Sequence, residues 1–231
     1  MCCFHDPILG PALPLIVSSG TVGADPRFVL VIQQLDRSLE SISYQDVELA
    51  GMVVADDDRI DGRYLEVHQG ILSLLARQSP VAGDLRIVAA LLHVIRRVER
   101  MGDQCVNIAK LVPLSGYEAP KDKDILDAIE RMGRLARSQV SQAKQALRQP
   151  QHGTGPGPGA PGPRDQPAQL GDLPRAVEAG DDVDMREWAM FMILVARCLE
   201  RIGDNTVDIA DQTVFVVTGL FREFTDASQP A

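Results

Sequence analysis

The amino-acid sequence predicts an all-α protein. Strand signals are scarce, aromatic residues make up only 4% of the 231 residues, and apolar residues recur every third or fourth position through most of the chain. Two similar segments also stand 101 residues apart: Glu-Arg-Met-Gly-Asp begins at Glu99, and Glu-Arg-Ile-Gly-Asp begins at Glu200. Such an internal duplication predicts that one helical unit occurs twice.

The first three helices follow from apolar spacing, a cap and two prolines. Four apolar residues mark the first helix: Phe28, Ile32, Leu35 and Leu39. Asp46 is a suitable N-cap for a second helix that runs to about residue 78. The third helix starts at Pro80 or just after it, because proline is tolerated in a first turn, and continues to the next breaker, Pro113.

The second half of the chain is interrupted by a stretch that cannot build a packed core. A fourth helix covers about residues 122–148. Residues 150–169 then contain six prolines and five glycines, a composition typical of a flexible linker. A short helical stretch follows from Asp172. Residues 181–220 contain no proline, which favours one long final helix.

Composition and charge restrict the compartment and the partners. The net charge of −9 and the isoelectric point near 4.9 argue against a nucleic acid or an anionic membrane as the main partner, because both require clustered Lys and Arg. No apolar run approaches the roughly 20 residues that span a bilayer. The four cysteines do not form a disulfide framework. We therefore expect a cytoplasmic protein without membrane insertion.

Acids and amides recur every fourth residue in both copies of the duplicated segment, and on a helix they form a stripe of oxygen ligands. The members are Glu99, Asp103 and Asn107 in the first copy and Glu200, Asp204 and Asp208 in the second. If helices two and three form an antiparallel hairpin that turns at Pro80, Asp57 lies opposite Asp103 and Asp61 opposite Glu99. We call these four carboxylates the acidic patch, and Glu200, Asp204 and Asp208 the acidic stripe.

Four carboxylates at such short distances repel one another unless cations neutralise them. The acidic patch therefore predicts bound metal. Oxygen-only ligands favour Mg, Mn, Ca or Fe over a structural zinc of the thiolate type. Gly102 and Gly203 would let a neighbouring helix approach closely. The alternative is a solvated acidic face, with some acids paired to nearby arginines: Arg96, Arg100, Arg197 and Arg201.

At these residues the chain resembles the PhoU family, regulators of phosphate signalling and transport in bacteria. The matching segments are Asp57-Asp-Arg-Ile-Asp61, Pro80-Val-Ala-Gly-Asp84-Leu-Arg86, the paired Glu-Arg-(Met/Ile)-Gly-Asp segments and Val217-Thr-Gly219. The resemblance implies two three-helix bundles related by pseudo-symmetry. It also implies multinuclear clusters of Fe, Mn, Mg or Zn on the Glu/Asp-x-x-x-Asp motifs.

The resemblance further implies a regulatory role in phosphate homeostasis, with negative regulation of the phosphate-starvation response. The expected partners are a phosphate-sensing histidine kinase, the ATPase of the phosphate ABC transporter and a second copy of the chain in a homodimer. The implied organisation is an irregular or disordered N-terminus (1–25), a first three-helix bundle (26–115), the first helix of a second bundle (120–149), a Pro/Gly-rich linker (150–171), the remainder of the second bundle (172–224) and a disordered tail (225–231).

The second half departs from the family pattern. The counterpart of Asp57-Asp-Arg-Ile-Asp61 is Gly180-Asp-Asp-Val-Asp184, so one carboxylate has become glycine. Asp61 precedes Glu99 by 38 residues, whereas Asp184 precedes Glu200 by only 16, a deficit of 22 residues. On one continuous helix Asp184 and Glu200 would stand about 24 Å apart. We expect a usable first site and a second that binds a cation weakly or needs a partner chain.

Two other classes of function stay open. A hydrolase or oxidase could use the acidic patch with its metal, but no Glu-x-x-His spacing and no evident general base occur in the sequence. A metal-free helical adaptor, or a defective paralogue, would carry the same acids as a solvated face. The regulator is the leading hypothesis, and we expect no enzymatic activity.

Overall fold

The computed structural model describes residues 26–78, 80–81, 83–116, 122–148 and 183–220. These residues form helices and connecting turns and contain no strand, which confirms the all-α prediction. The helices are α1 (Pro26–Tyr44), α2 (Val47–Ala55), α3 (Asp57–Gln78), α4 (Gly83–Leu111), α5 (Lys123–Arg148) and α6 (Val183–Thr218), with a short 3-10 turn at Pro113–Ser115.

Asp46 caps α2 as predicted, because its carboxylate accepts a hydrogen bond from the backbone N–H of Leu49 at 2.9 Å. The single helix predicted to run to residue 78 is wrong, since α2 ends at Ala55 and α3 begins at Asp57. Asp56 separates them, and its carboxylate pairs with the Arg37 guanidinium of α1 at 2.6 Å. The ion pair to α1 holds the chain at the break, which lets Asp57 begin a new helix whose N-terminus favours acids.

The helices α3 and α4 form the predicted antiparallel hairpin, although α4 begins at Gly83 rather than at Pro80. Near the break, Ile60 packs on Gly102, with its Cδ1 3.1 Å from the point where a Cβ on that glycine would stand. Towards the turn the two helices share a small apolar core made by Ile71, Leu74, Val88, Leu91 and Ile95. The two helices thus pack antiparallel as predicted, whereas the pairing of Asp57 with Asp103 and of Asp61 with Glu99 stays a prediction.

The two copies of the duplicated segment lie side by side on α4 and α6, which run antiparallel. Arg97 of α4 pairs with Asp208 of α6 at 3.1 Å, and Arg86 packs against Gly219 near the end of α6. Gly102 follows Arg97 by five residues and Gly203 precedes Asp208 by five, so the two motif glycines are level with each other. This arrangement is the one that a two-fold pseudo-symmetry requires.

One apolar core joins helices from both halves of the chain. Its fully buried members include Phe28, Leu35, Ile60, Met101, Leu199 and Ile202. Trp188 is buried in the same core near the start of α6. The helices of the two predicted bundles therefore stabilise each other directly, and the division at residues 115 and 120 stays a prediction.

The last helix is continuous from Val183 to Thr218, so no hairpin turn divides the second copy. No helix in the described ranges is long and apolar enough to cross a membrane. Four predicted segments lie outside the described residues: the N-terminus (1–25), the linker (150–171), the short helix from Asp172 and the tail (225–231).

Candidate functional site

The α3–α4 hairpin brings the members of the acidic patch within electrostatic reach of one another. Partial burial raises the pKa of the Asp57 carboxyl, and repulsion from Asp61 and Asp103 raises it further. The pKa of the Asp103 carboxyl is raised by partial burial and then by Asp61. Carboxylates from two facing helices therefore share one patch of negative potential, as the hairpin register predicts.

Glu99 completes the acidic patch one turn before Asp103 on α4. Its pKa is raised by partial burial and by Asp103, while Arg96 opposes the rise. Arg96 lies 3.5 Å from one Glu99 oxygen, a long and exposed contact that contributes little stability. The other oxygen, Oε2, is buried and has no hydrogen-bond partner in the structure.

Within the described part of the chain, the remaining three acids of the patch form no ion pair at all. Asp61 is exposed, and Asn107, one turn beyond Asp103, is exposed as well. No three His, Cys, Asp or Glu side chains among the described residues converge closely enough to hold a metal ion. The acidic patch is thus a set of oxygen donors that repel one another, and the nearby Arg96, Arg100 and Lys110 offset part of that repulsion.

The described cysteines add no ligand to this set. Cys105 lies in the core, and burial raises the pKa of its thiol far above the ordinary value. Burial also raises the pKa of the Cys198 thiol. Since a thiol binds metal as the thiolate, a raised pKa disfavours metal binding by both thiols, and the candidate donors of the acidic patch are its carboxylate oxygens.

The acidic stripe on α6 has different neighbours. Glu200 pairs with Arg197 at 2.9 Å, and Asp208 pairs with Arg97 of α4 at 3.1 Å. Asp204 stands between them, and its pKa is raised by partial burial and by Glu200 while Arg197 opposes the rise. Arginines therefore neutralise two of the three acids. The sequence leaves such arginine–carboxylate pairing open as an alternative to metal binding in both copies.

The structure does not bring Asp184 to the acidic stripe. It lies exposed in the first turn of α6, on the same unbroken helix as Glu200 and 16 residues before it. The rise of an α-helix puts the two about 24 Å apart. Asp184 and Glu200 cannot share a cation within one chain, as expected from the 22-residue deficit. The neighbouring Asp181 and Asp182 lie outside the described residues.

Two glutamines that sequence reasoning missed lie against the motif glycines. The Gln34 Oε1 of α1 is 3.5 Å from the position of a Cβ on Gly102, and the Gln139 Oε1 of α5 is 3.0 Å from that position on Gly203. Both glutamines are buried. The glycine in each Glu-Arg-x-Gly-Asp segment was the available signal, since it makes room for a close neighbour.

Comparison with protein families identifies the first half of the chain. Residues 28–112 match the model of the PhoU domain. A relative from Clostridium acetobutylicum, described as a phosphate-specific transport system accessory protein PhoU homolog, is 26% identical over 207 residues, which cover 81% of this chain and 85% of the relative. The Mycobacterium tuberculosis homolog 1 is 28% identical over 202 residues, covering 80% and 84%.

Solved structures show the same fold. PhoU from Pseudomonas aeruginosa superposes with a TM-score of 0.73 at 21% identity, covering 90% of this chain and 98% of that one. The phosphate transport system regulatory protein PhoU from Streptococcus pneumoniae gives 0.70 at 20% identity, covering 85% and 92%. The chain is thus similar to PhoU proteins: residues 28–112 match the PhoU domain, the relatives align along most of their length, and the solved PhoU structures share its fold.

Proposed function

We propose that this protein is a cytoplasmic metal-binding regulator of phosphate uptake and signalling. The observation that carries the metal-binding part is the acidic patch, where carboxylates from α3 and α4 repel one another and only Glu99 has an arginine within 4 Å among the described residues. The phosphate part is supported by the relatives, which are described as accessory proteins of the phosphate-specific transport system.

The donor set of the acidic patch fits a hard or borderline cation. Asp57 and Asp61 on α3 and Glu99 and Asp103 on α4 offer carboxylate oxygens only, the ligands that Mg, Mn and Fe prefer and that zinc also accepts. Because the side chains do not converge, binding requires them to turn towards a common point. A bound cation would cancel their repulsion and tie α3 to α4, so the hairpin would become more rigid when metal is present.

Such a change in one hairpin is suited to regulation through protein contacts. We propose that the partners are a phosphate-sensing histidine kinase and the ATPase of the phosphate ABC transporter, that the outcome is negative regulation of the phosphate-starvation response, and that the chain acts as a homodimer. We propose no enzymatic role, because the relatives are described as accessory proteins of a transport system.

The metal-binding part is tested by metal analysis of the purified protein and of two matched variants. We expect Asp103→Asn to lose most of the bound metal and Asp204→Asn to keep it, because only Asp103 faces carboxylates from a second helix. Equal losses from both variants would overturn the difference between the copies. A wild-type protein that binds no added Mn²⁺ would overturn metal binding and favour the adaptor.

The regulatory part is tested in the host cell. We expect deletion of the gene to switch on a phosphate-starvation reporter in phosphate-rich medium, and the wild-type gene to restore repression. Pull-down with the purified chain should capture the kinase and the transporter ATPase. An unchanged reporter together with metal-dependent turnover of a phosphate ester would instead support the hydrolase.

A further inference from the structure

The first half of α6 carries a regular row of exposed residues. Each member stands three or four positions from the next, which is the spacing of a seam between two packed helices. We call these exposed residues the outer stripe: Val183, Glu187, Met190, Leu194, Arg197 and Arg201. The other side of the same turns is buried in the apolar core, with Trp188, Met192 and Leu199. No helix in the described ranges covers the outer stripe.

The centre of the outer stripe is apolar and accessible. Met190 is 60% exposed and Leu194 is 50% exposed, and the two stand one turn apart. Because Arg97 pairs with Asp208 across antiparallel helices, Leu111 at the end of α4 is level with Leu194. The part of the outer stripe that precedes Leu194 therefore extends past the end of α4, where another chain can approach it.

Charges of opposite sign flank this apolar centre. Glu187 precedes it, whereas Arg197 and Arg201 follow it. Within the described part of the chain, neither Glu187 nor Arg201 forms an ion pair. Arg197 contacts Glu200 of its own helix, and its five N–H groups leave donors for a second carboxylate. The outer stripe thus offers both signs of charge to a partner.

The order of these residues is complementary to itself. The intervals along the outer stripe alternate between four and three residues and read the same in both directions, with the midpoint at residue 192. If two copies of α6 pair antiparallel about this midpoint, Met190 meets Leu194 and Glu187 meets Arg197, and each contact occurs twice. A parallel pair would place each charge against its own kind, which is destabilising. The pattern therefore favours a second copy of this chain as the partner.

We propose that the outer stripe is the dimer contact, formed by antiparallel packing of α6 against α6 of a second copy. This inference rests on the homodimer proposed above and is independent of metal binding. A two-fold contact of this kind closes on itself, so it produces a dimer and not a fibre. One helix face is smaller than the roughly 20–30 residues that each partner contributes to a stable complex. The dimer is therefore weak and forms only at high protein concentration.

The test is sedimentation equilibrium of the full chain and of two matched variants. Leu194→Ser alters the centre of the outer stripe, whereas Leu72→Ser alters a leucine of α3 that is also 50% exposed. We expect Leu194→Ser to weaken dimerisation by about 10-fold or more, because the symmetry removes two contacts at once, and Leu72→Ser to leave it unchanged. Equal dimerisation of the two variants would overturn the assignment of this surface and leave the homodimer itself standing.

A charge exchange tests the antiparallel order. Glu187→Arg and Arg197→Glu each create like-charged pairs across the contact, so each alone should weaken the dimer. The double variant restores opposite charges and should associate like the wild-type protein, whereas additive losses would overturn the pairing. A wild-type protein that stays monomeric would overturn both this surface and the homodimer. Metal analysis and the reporter assay test the remainder of the proposed function separately.

Discussion

The two copies of the Glu-Arg-x-Gly-Asp segment lie side by side on antiparallel helices, yet they have different electrostatic surroundings. The first copy faces α3, which adds Asp57 and Asp61 to its own acids. The second copy faces no such helix among the described residues, and arginines pair with Glu200 and Asp208. The same five-residue pattern therefore faces further carboxylates in one half, whereas in the other half two of the three stripe acids have an arginine partner.

Arg97 shows how the copies are linked. It stands two residues before Glu99 on α4 but pairs with Asp208 of the acidic stripe, because α4 and α6 are packed antiparallel. The duplicated motif supplies similar acidic side chains in both copies. Acids on the facing helix determine whether those side chains repel one another enough to favour a bound cation.

The largest expected effect is on stabilisation by metal. At a hundredfold excess over Kd, a cation that binds only the folded state adds about 2.7 kcal/mol, or roughly 5–10 °C in Tm for a chain of this size. We expect Mn²⁺ to raise the Tm of wild-type protein and of Asp204→Asn by this amount. Asp57→Asn with Asp103→Asn should abolish the shift in thermal melts. If Mn²⁺ still raises the Tm of that double variant by the full amount, the two copies do not differ in metal binding as proposed.

A smaller effect is expected when the ion pair between the copies is removed. Arg97→Met leaves Asp208 without its guanidinium, and the partly exposed pair should cost up to about 1 kcal/mol in urea unfolding. The variant also makes the acidic stripe resemble the acidic patch, so calorimetry should detect a second, weak Mn²⁺ site. Stoichiometry that stays at the wild-type value would show that neutralisation by Arg97 is not what distinguishes the copies.

The smallest effect is on pH dependence without metal. A carboxyl whose pKa is raised on folding binds more protons when folded, so stability rises as pH falls from the raised pKa towards the ordinary value near 4. Asp57, Glu99 and Asp103 have raised pKa values, and so does Asp204 of the acidic stripe. Metal-free protein in EDTA should therefore be slightly more stable at pH 5 than at pH 7.

Removing one acid from each copy tests the origin of this pH dependence. Removing a like-charged neighbour is worth about 0.2–0.5 kcal/mol, so Asp103→Asn should raise the metal-free Tm at pH 7 by roughly 1 °C and reduce the difference between pH 5 and pH 7. Asp204 has acidic neighbours on its own helix only, so Asp204→Asn should reduce the Tm difference between pH 5 and pH 7 by less. The same Asp103→Asn change thus stabilises the metal-free protein while it weakens metal binding. Loss of stability in EDTA would contradict the repulsion.

Local patterns were sufficient for most helix boundaries. Asp46 capped α2 and the chain turned near Pro80, so counting residues was enough to predict that acids of α3 and α4 lie in one hairpin. The break at Asp56 could not be predicted in this way, because it coincides with an ion pair to Arg37, 19 residues earlier and on another helix. Helix periodicity carries no information about such a partner.

By itself, the sequence determined the all-α class, the duplication, the antiparallel hairpin and the acids on each face, since these depend on spacing along one or two adjacent helices. Only the tertiary structure decided that Arg97 neutralises Asp208 and that Gln34 lies unpaired on Gly102. The physical reason is distance along the chain: these contacts join residues 68 to 111 positions apart, and they exist only because a shared apolar core aligns α1, α4 and α6.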